Sequence, residues 1–159
     1  MDASDVTLAE QGKMVEEFLD GLLDAFALEG QVGSEEIDED MVEVRVEGAD
    51  LGLLIGPKGQ TLSSVQELAR TVVQRQAGGS PRGRFRLDIG GYRQRRREAL
   101  ERFTREVASQ VLDSGVQRAL EPMGSADRKV VHDTANEIDG VSTVSEGEEP
   151  RRRVVIVPD

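Results

Sequence analysis

The residues in this chain best suited to chemistry form a short loop, Gly56-Pro57-Lys58-Gly59, between two apolar stretches. Glycines let a backbone approach a ligand closely, and the amides at the start of a helix after Gly59 can donate to an anion. Lys58 adds a positive charge, whereas Pro57 removes one backbone donor. The loop matches neither the Walker pattern G-x-x-x-x-G-K-[ST] nor the dinucleotide pattern G-x-G-x-x-G. It therefore indicates contact with a sugar–phosphate backbone, with a tight helix–helix turn as the alternative.

Arginine is concentrated in the segments that follow this loop. Arg84 and Arg86 alternate with apolar residues, so a strand would place both on one face, toward RNA or toward solvent. Arg93 and Arg97 are spaced i, i+4 and would share one face of a helix. Guanidinium groups bind phosphate well, but exposed ion pairs with nearby glutamates explain any single arginine about as well. The candidate phosphate contacts are Arg82, Arg93, Arg96 and Arg97.

The single histidine, His132, follows Arg128 at i, i+4 spacing on a predicted helix, so both side chains can reach one phosphate or nucleotide. Catalysis would need a nucleophile, a second base or a metal beside the histidine, and the sequence offers no such group. Cysteine is absent, which excludes disulfides and thiolate metal sites. We therefore expect a nucleic-acid contact, no cofactor, no metal and no enzyme activity.

Charge is distributed unevenly along the chain. Residues 1–50 carry 2 basic and 16 acidic side chains, residues 51–129 carry 15 and 8, and residues 130–159 carry 3 and 7. The local net charges are −14, +7 and −4, within a total of −11. A basic middle favours nucleic-acid binding over the alternative of solvated helix faces. The sequence has no leader pattern and no apolar run of about 18 residues, so we expect a cytoplasmic protein without membrane insertion.

Apolar spacing predicts the elements that must position these residues. Helices are predicted at Leu8–Leu28, Leu51–Ile55, Thr61–Gln76, Tyr92–Ser114 and Ser125–Ile138. Strands are predicted at Gln31–Ile37, Met41–Val46, Phe85–Ile89, Val116–Leu120, Val141–Ser145 and Arg152–Val157. Apolar residues expected to face inward include Phe26, Leu68, Phe103 and Leu112. The prediction is an α+β fold of order α-β-β-α-α-β, then a long helix, then β-α-β-β.

The segment Ile55–Leu62 resembles the I-G-x-x-G-x-x-[IL] core of KH domains, and the surrounding element order resembles their type II arrangement. The resemblance implies a groove made by the glycine loop, its flanking helices and a strand, which holds about four unpaired nucleotides. The RNA-binding residues that it implies, together with the arginines of the last strand, are Ile55, Gly56, Pro57, Lys58, Gly59, Arg84 and Arg86.

The segment Met123–Asp159, which contains Arg128 and His132, resembles the Arg-x-x-x-His (R-three-H) domain, which binds single-stranded nucleic acid. The phrase Leu87–Arg96 resembles the join between the two domains of the Jag family, also called the SpoIIIJ-associated or KhpB family. This resemblance implies single-stranded RNA and a second small KH-domain protein as partners. It also implies a post-transcriptional regulator or RNA chaperone linked to cell elongation or division. A further amino-terminal Jag domain is not expected in a chain of this length.

The expected organisation is a disordered tail at residues 1–7, a KH-like domain at 8–91, a connecting helix at 92–115 and an R-three-H domain at 116–159. Three other functions stay open at this point. They are a single-stranded DNA-binding regulator, a protein-interaction module that uses the acidic first helix, and an enzyme such as a nuclease.

Overall fold

A computed structural model gives the fold and describes Asp2 and residues 5–159. The chain forms two compact units, with the boundary between Arg93 and Gln94. The predicted α+β class and the predicted order of elements are confirmed. No helix within the described residues is long and apolar enough to cross a membrane.

The first helix, α1 (Leu8–Ala25), begins at a capping box. The Thr7 hydroxyl accepts a hydrogen bond from the Glu10 amide at 3.2 Å, and the Glu10 carboxylate accepts one from the Thr7 amide at 2.8 Å. The bond from the Thr7 backbone is the main reason that the pKa of Glu10 lies below its ordinary value. Two donors at the helix start are thereby satisfied, which fixes where α1 begins.

The first unit contains one sheet of three strands in the order β1 (Gln31–Asp38), β2 (Met41–Glu47) and β3 (Arg84–Ile89). Strands β1 and β2 form an antiparallel hairpin, whereas β2 and β3 are parallel. The crossover between them contains α2 (Gly52–Ile55) and α3 (Gln60–Ala77). Alternating residues of β2 and β3 point into the core formed with α1 and α3, namely Val42, Val44, Val46, Phe85, Leu87 and Ile89. Charged residues occupy the other face of the sheet.

The second unit packs helices against a second three-stranded sheet. Its elements are α4 (Tyr92–Ser114), β4 (Arg118–Ala119), α5 (Ser125–Ala135), β5 (Val141–Glu146) and β6 (Arg153–Pro158), with the strands in the antiparallel order β4-β6-β5. One core collects apolar residues from α4, α5 and the sheet, including Leu100, Val107, Val111, Val131 and Ile156. Helix α4 is therefore not a separate connector, because from Gln94 onward it belongs to this unit.

The structure corrects several boundaries and burial predictions. Val6 is only 3% exposed and Thr7 caps α1, so these two residues are ordered, contrary to the predicted tail. Met1, Ala3 and Ser4 lie outside the described residues. Helices α1 and α5 end at Ala25 and Ala135, several residues before the predicted ends at Leu28 and Ile138.

Four apolar residues that were predicted to face inward are about half exposed: Phe26 at 51%, Leu68 at 56%, Phe103 at 46% and Leu112 at 47%. Phe26 lies beyond the last turn of α1, at its C-cap. The other three border the buried stripe of their helix, and a helix that packs on one side covers only part of a wide apolar face. Spacing alone predicted too wide a buried face.

Candidate nucleic-acid interface

The Gly56–Gly59 loop joins α2 to α3 by a tight turn that requires both glycines. Gly56 and Gly59 have φ values of +71° and +73°, and Lys58 also lies in the left-handed region at +54°. A Cβ atom on Gly56 would come within 2.2 Å of Thr61 Oγ1. Because the N-cap of α3 is Gly59, no side chain of the cap covers the first-turn amides of this helix. Pro57 and Lys58 are exposed, and Ile55 packs against the core.

Tyr92, the first residue of α4, lies against this loop. A Cβ atom on Gly59 would be 2.5 Å from Cε1 of the Tyr92 ring, so the ring covers the glycine directly. Gly59 is buried as a result. The contact holds the second glycine of the loop to the segment that follows β3, a link that joins residues distant in sequence.

A surface cavity of about 470 Å³ lies between α3, β3 and the loop that precedes β3. Three of the predicted arginines, Arg84, Arg86 and Arg93, line it together with Arg70 of α3. Among the described residues that form its lining there is no carboxylate. Guanidinium groups attract phosphate, but carboxylates just outside the lining offset part of this charge, because Arg70 pairs with Glu67 and Arg86 pairs with Glu43. The Gly56–Gly59 loop is not part of the lining, and α3 connects the two features.

Strand β3 is at the edge of its sheet, so one side of its backbone has no neighbouring strand. The Leu87 amide donates to Gln66 Oε1 at 3.2 Å, and Gln66 Nε2 donates to the Phe85 carbonyl at 3.5 Å. Arg93 Nε donates to the Leu87 carbonyl at 2.8 Å, and Arg93 Nη2 donates to Gln66 Oε1 at 2.9 Å. Two side chains, one from α3 and one from α4, therefore cover the open edge beside the cavity.

Two pKa values are displaced near the cavity. Burial lowers the pKa of Arg93, and the Asp88 carboxylate opposes this shift. Burial raises the pKa of Glu43, but hydrogen bonds from Arg45 and Arg86 outweigh it, and the net pKa lies below the ordinary 4.5. Arg86 Nε donates to Glu43 Oε2 at 2.8 Å. Arg86 is thus held by a carboxylate on the outer face of the sheet.

The other predicted arginines have different surroundings. Arg82 is exposed, and its carbonyl accepts a 2.5 Å hydrogen bond from the buried amide of Gln11. In the second unit, Arg96 Nη2 lies 3.1 Å from Asp127 Oδ2, and Arg97 Nε lies 3.0 Å from Glu101 Oε1. For Arg96 and Arg97 the structure therefore has the ion pairs that the sequence left open as an alternative.

Arg128 and His132 lie on α5. Arg128 contacts the segment before α5 and the turn between β5 and β6, and His132 contacts β5. Arg128 is 8% exposed, and it donates to the Met123 carbonyl and to Glu149 Oε1, each at 2.6 Å. His132 Nδ1 lies 2.6 Å from Thr143 Oγ1, and His132 Nε2 lies 2.7 Å from Ser145 Oγ. Each side chain thus has partners within the unit, and contact with phosphate stays a prediction.

Sequence reasoning missed Gln66, Tyr92, Gln11 and Glu149 as residues that shape these sites. All four act on segments far away in the chain, so local spacing could not place them. A signal existed for Tyr92 alone, because it lies within the phrase Leu87–Arg96 that resembles the join of the Jag family. No group of three or more His, Cys, Asp or Glu side chains that could hold a metal ion occurs in the described part of the chain.

Comparison with known proteins finds a matching domain family for each of the two units. The family model for the KH domain of KhpA and KhpB matches residues 12–87, and the model for the R-three-H domain matches residues 98–158. The RNA-binding protein KhpB of Clostridium symbiosum is 38% identical over 142 residues, which is 88% of this chain and 63% of that protein. The RNA-binding protein KhpB of Bacillus subtilis is 32% identical over 141 residues, which is 87% of this chain and 66% of that protein.

A third relative, the RNA-binding protein KhpB of Lactiplantibacillus plantarum, is 37% identical over 105 residues, or 66% of this chain and 32% of that protein. The chain thus spans between 32% and 66% of the length of these relatives. The predicted order of a KH domain before an R-three-H domain is confirmed. These matches and this domain order show that the chain belongs to the KhpB family.

Proposed function

We propose that this chain binds single-stranded RNA, with the Gly56–Gly59 loop and the cavity beside α3 and β3 as the principal site. The observation that carries the proposal is the cavity itself, which is lined by four arginines although the whole chain has a net charge of −11. The relatives named above are RNA-binding proteins, and a KH domain binds through a loop of this pattern.

Within this site the loop binds the sugar–phosphate backbone, and the cavity takes the adjoining nucleotides, with their phosphates toward the arginines and their bases toward the edge of β3. Positive φ values at both glycines allow close approach of a phosphate, and the first-turn amides of α3 can donate to its oxygens. Lys58 is exposed at the tip and contributes a positive charge. Unpaired nucleotides fit such a site better than a duplex, because their base edges are free to hydrogen-bond.

We propose a second, weaker contact in the R-three-H domain through Arg128 and His132. Glu149, the present partner of Arg128, has a side chain that is 58% exposed, so a phosphate can replace it and its carboxylate can return to water. The acidic residues of the β5–β6 hairpin reduce the affinity of this domain for a polyanion. Both contacts together would make binding strongly dependent on salt.

The test is a titration of labelled single-stranded RNA with the full chain and with Lys58→Asp. Lys13→Asp is the matched control, because it changes the charge equally at an exposed site on α1. We expect Lys58→Asp to weaken binding by about 10- to 100-fold, the range for a lost charged hydrogen bond plus repulsion. Aspartate tolerates the left-handed backbone at position 58, so the fold should survive.

If Lys58→Asp and Lys13→Asp bind RNA with equal affinity, the loop is not part of the binding site. If the unchanged chain does not bind RNA at low salt, the proposed function is refuted. Single-stranded DNA of the same sequence is the competitor that tests for the 2′-hydroxyl. If DNA competes as well as RNA, the chain is a general single-strand binder instead.

The cellular role belongs to the same proposal. We infer a post-transcriptional regulator or RNA chaperone in the cytoplasm, linked to cell elongation or division, with a second small KH-domain protein as partner. Resemblance to the family supports this role. Co-purification from cells of the tagged chain with RNA and with a small KH protein tests it, and a change of cell length on deletion of the gene is the expected phenotype.

A further inference from the structure

The open edge of β3 is the part of the cavity most able to distinguish one base from another. On the side of β3 that has no neighbouring strand, the backbone groups are a donor, the Leu87 amide, and two acceptors, the carbonyls of Phe85 and Leu87. A nucleobase edge offers matching groups, an N–H donor next to an acceptor. In the RNA-free protein, however, the side-chain amide of Gln66 already binds the Leu87 amide and the Phe85 carbonyl.

We propose that Gln66 is a displaceable cap on β3, which an incoming base must replace and which thereby sets the affinity and base preference of the site. This inference rests on the proposed RNA binding at the cavity. The side-chain amide of Gln66 carries one carbonyl and one NH₂ group, so it presents to the strand the same donor and acceptor that a base edge presents. The cap therefore competes with a base for the same backbone atoms.

The bonds of the cap are suited to exchange. Gln66 contacts the strand at 3.2 Å, the upper limit of ordinary hydrogen bonds between N–H and oxygen, and at 3.5 Å, which is longer than an ordinary bond and therefore weak. Arg93 binds the Leu87 carbonyl at 2.8 Å through Nε, a shorter contact that does not involve Gln66. A base can thus replace the glutamine while Arg93 stays on the strand.

Arg93 changes partner when the cap opens. Its Nη2 donates to Gln66 Oε1 at 2.9 Å, and this donor becomes available when the glutamine swings away. The guanidinium then lies beside the base with a donor for a base acceptor or a phosphate oxygen. Arg93 thus holds the cap in the RNA-free protein and binds RNA once the cap is open.

The experiment measures binding of short oligonucleotides of A, C and U by the full chain, by Gln66→Ala and by Gln66→Glu. Alanine removes the competitor, so we expect about 3- to 10-fold tighter binding, the net value of the intramolecular bonds that no longer have to break. Gln66→Ala should also reduce the differences in affinity among the A, C and U oligonucleotides. Glutamate can pair with Arg93 and repels phosphate, so it weakens binding. Gln76→Ala is the control on the same helix, at an exposed residue outside the cavity lining, and leaves affinity unchanged.

A second readout follows the strand itself. Hydrogen exchange at the Leu87 amide should be faster in Gln66→Ala than in the unchanged chain, and RNA should protect this amide in both proteins. If Gln66→Ala binds RNA with unchanged or lower affinity, the cap is refuted. If Leu87 is not protected by bound RNA, no base reaches the strand and the cap is refuted as well. Both results leave RNA binding itself intact, whereas loss of RNA binding by the unchanged chain refutes the proposed function instead.

Discussion

Replacing Gly59 with alanine puts a methyl group where the ring of Tyr92 now lies. The distance from this Cβ atom to Tyr92 Cε1 would be 2.5 Å, so the ring has to move. Gly78, at the other end of α3, is the matched control. Its φ of +75° is close to the +73° of Gly59, but a Cβ atom there meets nothing within 4 Å. Both substitutions therefore place a residue with a Cβ atom in the left-handed region, which costs stability, but only Gly59→Ala also displaces the tyrosine ring.

We expect Gly78→Ala to lower the free energy of unfolding of the first unit by about 1 kcal/mol, the left-handed cost for a residue with a Cβ atom. Gly59→Ala should lower it by about 1 to 3 kcal/mol more, the usual cost of overpacking. Urea unfolding followed by tyrosine fluorescence measures both values. Tyr92 is the only tyrosine and the chain has no tryptophan, so the signal reports on the ring that contacts Gly59.

Equal destabilisation by the two substitutions would refute the contact between Gly59 and the tyrosine ring. The same two variants also show whether RNA affinity depends on the shape of the loop or only on the stability of the fold. Below the unfolding transition, Gly59→Ala should bind RNA more weakly than Gly78→Ala, because only the first substitution distorts the loop.

Two further predictions concern carboxylates that hold arginines. Because the pKa of Glu43 is lowered in the folded state, its stabilising effect is present above the unfolded value of 4.5 and lost as pH falls through the lower folded value. Glu43→Gln should therefore be less stable than the unchanged chain near neutral pH, and the difference should shrink below pH 4.5, as measured by urea unfolding. In the second unit, Arg128→Ala should cost about 2 to 4 kcal/mol and Glu149→Gln under about 1 kcal/mol, because only Arg128 is buried. Hydrogen exchange of the β5–β6 amides checks this order, and a larger effect of Glu149→Gln would contradict it.

Local chemistry predicted the parts of the fold in which local preference and packing agree. Val42, Val44 and Val46 alternate because β2 is the central strand with one face in the core, so its pattern was clear in the sequence. Helix α4 was predicted with its observed ends. The assignment of α4 to the second unit was not predictable, because an apolar stripe does not reveal which partner covers it.

For the candidate site, the sequence predicted a tight turn at the loop glycines, and the structure has it. Left-handed backbone conformation favours glycine, so this requirement is visible in residue type, whereas RNA contact at the loop stays a prediction. Gln66 was missed because its role depends on contact with Leu87 and Arg93, which only the folded chain brings near it. A glutamine at a helix position does not indicate in the sequence that it makes such a contact. Residue type thus predicts a backbone requirement but does not predict a side chain that covers a distant strand.

The parallel pairing of β2 with β3 has a consequence for the newly made chain. Met41 pairs with Arg84 and Val46 with Ile89, so the sheet cannot close until α2, α3 and the whole of β3 have been synthesised. Until then the side of β2 that pairs with β3 in the complete fold has no partner, and unpaired strand edges promote aggregation. Pairings between residues far apart in sequence also form slowly. Glu43, whose side chain lies on the face of β2 opposite the buried valines, keeps the nascent β1–β2 segment charged during the interval before Arg86 arrives to pair with it.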